Sequence, residues 1–309
     1  PGPETGVDWP GAFHTIQSAV DAAFAAGGGE VWVAEGTYVG TTAPIVTLRS
    51  GVDIYGGFSA VETAREERDW ALHVCTIDGE NARRCVVGAN NARLDGFRLY
   101  RGYTTGYGGG IYNSGVSPTV ANCTFSANRA VRGGGMFNGN SSTATVLDCV
   151  FESNSTTGAA SGYGGGMANE NSSPVVQRCS FAGNEVTTVS SGTYGYGGGM
   201  SNLTSPVLVE DCTFANNQVR YSGGPFSYCH GGGMYNQGSA PVVRNCVFSG
   251  NSTRAAWGSS YGGGMANFNN AATQVVNTLF VGNLATYGGG SFANTFGGGA
   301  YNDSSAARF

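Results

Sequence analysis

Cys149-Val150-Phe151-Glu152-Ser153-Asn154 and, after nine intervening residues, Gly164-Gly165-Gly166-Met167-Ala168-Asn169 decide how this chain folds. The second motif, Gly-Gly-Gly-φ-x-Asn, occurs seven times, starting at Gly108, Gly133, Gly164, Gly197, Gly231, Gly262 and Gly297. The starts lie 25, 31, 33, 34, 31 and 35 residues apart, so this is an internal repeat with variable insertions. A unit of that length cannot bury its own apolar face, and the units must therefore stack into a solenoid.

The other motif keeps register with the glycines. Its Phe recurs as Phe125, Phe151, Phe181, Phe214, Phe248 and Phe280, and three residues on stands Asn128, Asn154, Asn184, Asn217, Asn251 or Asn283. Two residues before the Phe comes Cys123, Cys149, Cys179, Cys212 or Cys246, with Thr278 in the last repeat, and five before is always Val. The φ column holds all five methionines. Two residues beyond it runs an unbroken Asn column: Asn113, Asn138, Asn169, Asn202, Asn236, Asn267 and Asn302. In a parallel β-helix each coil lies about 4.8 Å above the last, so identical positions stack on themselves. Cys and Phe at i and i+2 share one face of a strand, here the inward one. The Cys, Phe, Val and Met columns are thus expected to be internal ladders. The Asn columns are expected at corners, where Asn tolerates the left-handed conformation. The excess length falls between each Phe-x-x-Asn and the next triple glycine, so the insertions leave one side, the expected binding side.

The beginning of the chain reads differently. Residues 15 to 26 place apolar side chains at helical spacing and stop at Gly27-Gly28-Gly29. The expected architecture is all-β: a right-handed parallel β-helix of about ten coils with a short N-terminal capping helix. Residues 1–30 form the cap, 31–106 irregular lead-in coils, and 107–309 the regular repeats, in one structural domain. The sequence stops at Phe309 in mid-coil without a recognisable cap, which makes head-to-tail self-association an expectation.

Composition narrows the partners. There is no lysine, charged residues are 11% of the chain, and the net charge is −5. Nucleic acid and anionic membranes are therefore poor partners, and no apolar run reaches membrane-spanning length. The chain starts at Pro1 without Met or a signal peptide, which suits a processed, exported protein or a trimmed one.

The Phe-x-x-Asn and Gly-Gly-φ pair resembles the repeats of chlamydial polymorphic outer-membrane proteins and of other secreted bacterial β-helix proteins. Tyr55-Gly56-Gly57-Phe58, Arg68-Asp69-Trp70, Thr76-Ile77-Asp78-Gly79 and Leu94-Asp95-Gly96-Phe97 look like the lead-in of that bacterial group. The N-terminal helix and Gly36-Thr37-Tyr38 are similar to the start of pectin-lyase-like proteins. The resemblance implies an exported or surface-attached protein, often adhesive. The same fold also hosts lyases and hydrolases.

Four features carry the chemistry. The five-Cys ladder is read as small buried hydrophobes, and no Cys or His has zinc-ligand spacing. Cys229 beside His230 is read as an insertion-loop thiol. Asp53, Asp78, Asp95 and Arg98 give the best acid–base mixture and would have to converge on one face to support lyase or hydrolase chemistry. No cofactor is expected; calcium is compatible with the fold, but the sequence shows no site for it. The residue before each glycine motif is Tyr107, Arg132, Tyr163, Tyr196, His230, Tyr261 or Phe296. This stripe either binds sugar rings or covers the glycine backbone. The expected role is an extracellular structural or adhesive protein that partners itself or other surface proteins. The alternative is a glycan-binding module or a polysaccharide lyase or hydrolase.

Overall fold

The computed structural model describes residues 4–156, 161–223, 228–288 and 294–309. The one α-helix among the described residues, α1 (Ile16–Ala25), begins at Thr15, whose hydroxyl caps the Ser18 N–H, and ends before Gly27 and Gly28. Its buried Ile16 and Val20 close the first rung of the core.

Three parallel nine-stranded sheets form the body. One runs from Gly29–Ala34 to Gln274–Val276 and carries the Val column; a second runs from Gly36–Tyr38 to Leu279–Val281 and carries the Phe column. The third, from Val46–Thr47 to Ala300–Asp303, carries the Met and Asn columns. The chain visits the three in turn, a right-handed parallel β-helix of nine rungs, and Arg308 pairs with Gln274 to start another. Register is one to one through the repeats, with Phe151 between Phe125 and Phe181, and Met167 between Met136 and Met200. The Phe rings from Phe125 to Phe248 stack 4.5 to 4.7 Å apart within 4° of parallel, and all are fully buried.

The two Asn columns do stack, but not as left-handed corner residues. Asn113 to Asn267 sit inside strands such as Ile111–Ser114, fully buried, each donating its amide to the next Oδ1 at 2.7 to 2.9 Å and ending on the exposed Asn302. Asn184 accepts from the Asn154 amide and backbone N–H and donates to Phe151 O and Asn217 Oδ1. Left-handed backbone falls one residue earlier, at Ala127, Ser153, Gly183 and Asn216, and again just before each ladder Cys, at Asn122, Asp148, Arg178, Asp211 and Asn245, and before Thr278 at Asn277. The Cys thiol then closes that corner by donating to the carbonyl two residues back, as Cys123 does to Ala121 at 3.1 Å.

The triple glycine has two demands. Gly164 is left-handed at φ 60°, and a Cβ on Gly165 would stand 2.6 Å from Gly198 O and 2.7 Å from Glu185 O. Gly198 belongs to the triple glycine of the next rung, and Glu185 opens the arm strand Glu185–Thr188, because the insertions fold back as a lateral arm. A six-stranded sheet from Arg129–Ala130 to Leu284–Tyr287 faces a five-stranded sheet from Gly162–Tyr163 to Thr295–Phe296. Between them Val186, Val219, Tyr221, Cys229 and Ala255 make a second, smaller core.

Candidate functional site: an aromatic file along the insertion side

The residue before each triple glycine ends a strand of the five-stranded sheet or a bridge in line with it, so these side chains superpose rung on rung. Tyr163 stacks on Tyr196 at 4.6 Å, Tyr196 on His230 at 5.1 Å, His230 on Tyr261 at 4.9 Å, and Tyr261 on Phe296 at 5.2 Å. Arg132 fills the rung between Tyr107 and Tyr163, its guanidinium 4.3 Å from the Tyr163 ring centre, and ion-pairs with Glu170. The ring faces are therefore turned to one another, and what the file presents is ring edges and hydroxyls.

A second row backs the first. Phe137 meets Tyr107 at 4.9 Å, Tyr235 meets Tyr196 at 4.6 Å, and Tyr301 meets Tyr261 at 4.9 Å. Phe268 stands edge-on to His230 at 4.6 Å. Tyr194 and Tyr228 form an outer pair at 5.4 Å. The sequence reading missed this second row, although Tyr112, Phe137, Tyr235 and Tyr301 share the column just after φ, where outward side chains belong.

Burial sets the protonation of the file. It pushes the Tyr163 and Tyr196 phenols up, so both remain hydroxyls at ordinary pH. His230 is driven down to about 3 by burial and is a neutral imidazole. With Arg132 neutralised by Glu170, the file is an uncharged strip of hydroxyl donors and aromatic edges.

The lead-in candidates do not converge. Asp53 lies on the Val sheet in register between Glu30 and Arg93, and Asp95 lies on the same sheet beside Tyr55. Asp78 and Arg98 lie on the Phe sheet. Asp95 is buried, with one oxygen held by Arg68 at 2.7 Å and Asn122 at 2.9 Å and the other by Arg93 at 2.8 Å. Asp78 takes Arg101 on both oxygens, and Arg98 stacks on Tyr100 at 4.3 Å. These are fastenings, with Asp53 and Asp95 on one sheet and Asp78 and Arg98 on the next. Cys229 is a further correction: it lies within the strand Tyr228–His230, fully buried, donates to Arg254 O, and is pushed up to about 12 by burial. All eight cysteines are free. Among the described residues no group of three or more His, Cys, Asp or Glu could hold a metal ion, and no helix is long and apolar enough to cross a membrane.

No protein-family profile and no curated protein matches the chain. The likeness to chlamydial repeats thus stays one of motif. Among solved structures the chain is similar to the A-module of the Azotobacter vinelandii mannuronan C-5 epimerase AlgE4, with 13% identity, 95% of this chain and 92% of that one covered, and a TM-score of 0.29. It is also similar to the AlgE6 A-module from the same organism, with 14% identity, 95% and 94% coverage, and a TM-score of 0.29. The fold stands on the strand register rather than on these superpositions.

Proposed function

We propose that this chain is an exported adhesive rod that binds an extended, neutral polysaccharide along its aromatic file. The observation that carries the reading is the file itself: one aromatic or planar side chain per rung from Tyr107 to Phe296, in a line, uncharged and lined with hydroxyls. A rung of about 4.8 Å is close to the length of one pyranose residue, so a glycan chain lying along the axis meets a repeated contact. Tyrosine edges combine an apolar body with a polar tip, which suits a ligand with apolar C–H and polar O–H groups.

The test is retention on a panel of neutral and uronate polysaccharides by affinity electrophoresis. The double variant Tyr163→Ala/Tyr196→Ala should lose at least about tenfold in affinity. Tyr163→Phe/Tyr196→Phe keeps the stack and removes the hydroxyls, and should lose less. Unchanged retention of the alanine variant would sink the reading. Release of unsaturated or reducing ends from the same panel would favour a lyase or hydrolase instead.

A further inference from the structure

We propose that the outer face of the six-stranded sheet binds an acidic polysaccharide, held chiefly by Arg220 and Arg254. This site lies on the other side of the arm from the aromatic file and does not rest on it. The file follows the five-stranded sheet, and the small core of Val186, Val219, Tyr221, Cys229 and Ala255 lies between the two sheets. Alternation fixes what points outward. In Gln218–Tyr221 and Ser252–Ala255 the second and fourth residues are buried, so Gln218, Arg220, Ser252 and Arg254 face solvent. The same alternation turns Arg129, Ser155, Glu185 and Thr187 outward on the earlier strands.

Arg220 and Arg254 are register partners on neighbouring rungs, about 4.8 Å apart along the axis. Like charges side by side on a sheet repel each other, and the chain does little to offset this pair. Arg220 reaches only Glu185, at 3.8 Å with both side chains well exposed, a contact worth little. Among the described residues neither Arg254 nor Arg129 has a carboxylate in ion-pair range, whereas Arg178 and Arg244 on the opposite side of the coil hold theirs at 2.7 Å. An anion set between the two guanidiniums relieves the repulsion and accepts from both. The planar fork of arginine suits a carboxylate or a sulfate group.

The rest of the face narrows the occupant to a glycan. Thr187 and Thr286 continue the arginine column on either side, and Ser155, Gln218 and Ser252 run in the column beside it. Hydroxyls and an amide thus line the axis at steps of one rung, as an extended chain of sugars requires. Neither outward column holds an aromatic ring, which leaves the bases of a nucleic acid nothing to stack on. Glu185 is the one outward carboxylate on these strands, so the face is cationic in a chain of net charge −5.

Affinity electrophoresis through gels holding polygalacturonate or dextran sulfate tests this, with the fold of each variant checked by circular dichroism. At least one of the two polymers should retard the parent chain at low salt and release it as salt is raised. Which of them does so tells a uronate from a sulfate ester. Arg220→Gln/Arg254→Gln should lose at least about tenfold in affinity for that polymer. Arg178→Gln/Arg244→Gln makes the same change in net charge at arginines already paired, and should lose little. Tyr163→Ala/Tyr196→Ala should bind the acidic polymer as the parent does, so that failure of the file as a glycan site leaves this site standing. No retardation by either polymer overturns the proposal. So do equal losses in the two arginine double variants, which would mean diffuse attraction, and so does an oligonucleotide of matched charge that competes as well as the glycan.

Discussion

The prism and the lateral arm are both stacks of parallel strands on the same rungs, yet they are held in different ways. In the prism the inward columns largely repeat one residue type, and the ladder amides are paired except for Asn113 Oδ1: Asn184 makes four side-chain hydrogen bonds, and the Ser201 hydroxyl is the other buried group left without a partner there. In the arm the inward column changes from Thr156 to Val186, Val219 and Thr253, and the Thr156, Thr188 and Thr253 hydroxyls are buried without a partner. Repetition lets one solution be reused at each rung, whereas the arm must solve its packing rung by rung. The prism should therefore be brittle toward substitution and the arm tolerant.

The largest contrast lies in the glycines. Gly165→Ala puts a Cβ against backbone oxygens on two sides, and neither can retreat without breaking a strand. It should cost more than about 4 kcal/mol or abolish folding, measured by urea unfolding. Gly195→Ala in the arm meets chiefly the Val219 side chain at 2.4 Å. It should cost only about 1–3 kcal/mol, because a side chain can repack. Equal losses would erase the distinction.

Next comes the ladder. Asn184→Leu strands the Asn154 amide, the Asn154 N–H and the Phe151 carbonyl, and should cost about 3–5 kcal/mol in the same assay.

The third effect depends on pH. His230 is held down to about 3, below its ordinary 6.5, so the folded state keeps it neutral while the unfolded chain takes up a proton. Its contribution is complete above pH 6.5 and is lost as pH falls toward 3, at up to about 1.4 kcal/mol per pH unit. His230→Phe keeps a ring in the file and should flatten the melting temperature between pH 6.5 and 4. A parallel fall in both proteins would place the acid sensitivity elsewhere.

The smallest effect has the opposite sign. Thr253→Val removes an unpaired buried hydroxyl and should be neutral or stabilise by about 0.5–1 kcal/mol in a thermal melt. A clear loss would show that the hydroxyl has a partner, such as a bound water.

The same contrast explains what the sequence made legible. The Phe, Met, Val and Cys columns read correctly because identical residues in register leave a period that insertions shift but do not blur. The arm did not read, because Gly162, Gly195, Cys229 and Ser260 share a register but no chemistry. The Asn columns were assigned to corners by residue preference, while burial and amide pairing put one of them at strand centres. The left-handed corner before each Cys was open to reading: Asn, Asp and once Arg fill that column, and it explains why Asp148 and Asp211 share a position. The aromatic file was visible as a stripe, but the turning of ring faces toward each other follows from rung spacing and could not be read from identity alone. The lead-in carboxylates looked convergent because sequence spacing does not say which sheet a strand joins.

The amide ladders hold one more consequence. Each rung within the ladders receives a hydrogen bond from the rung before and passes one to the rung after, always in the same direction. In the Phe-x-x-Asn column a backbone N–H fixes which end of each amide is the oxygen, so no member can flip alone. A coil laid upside-down on the rung before it would set amide N–H against amide N–H. The stack thus works as a one-way zip, whose teeth reject any coil presented the wrong way round.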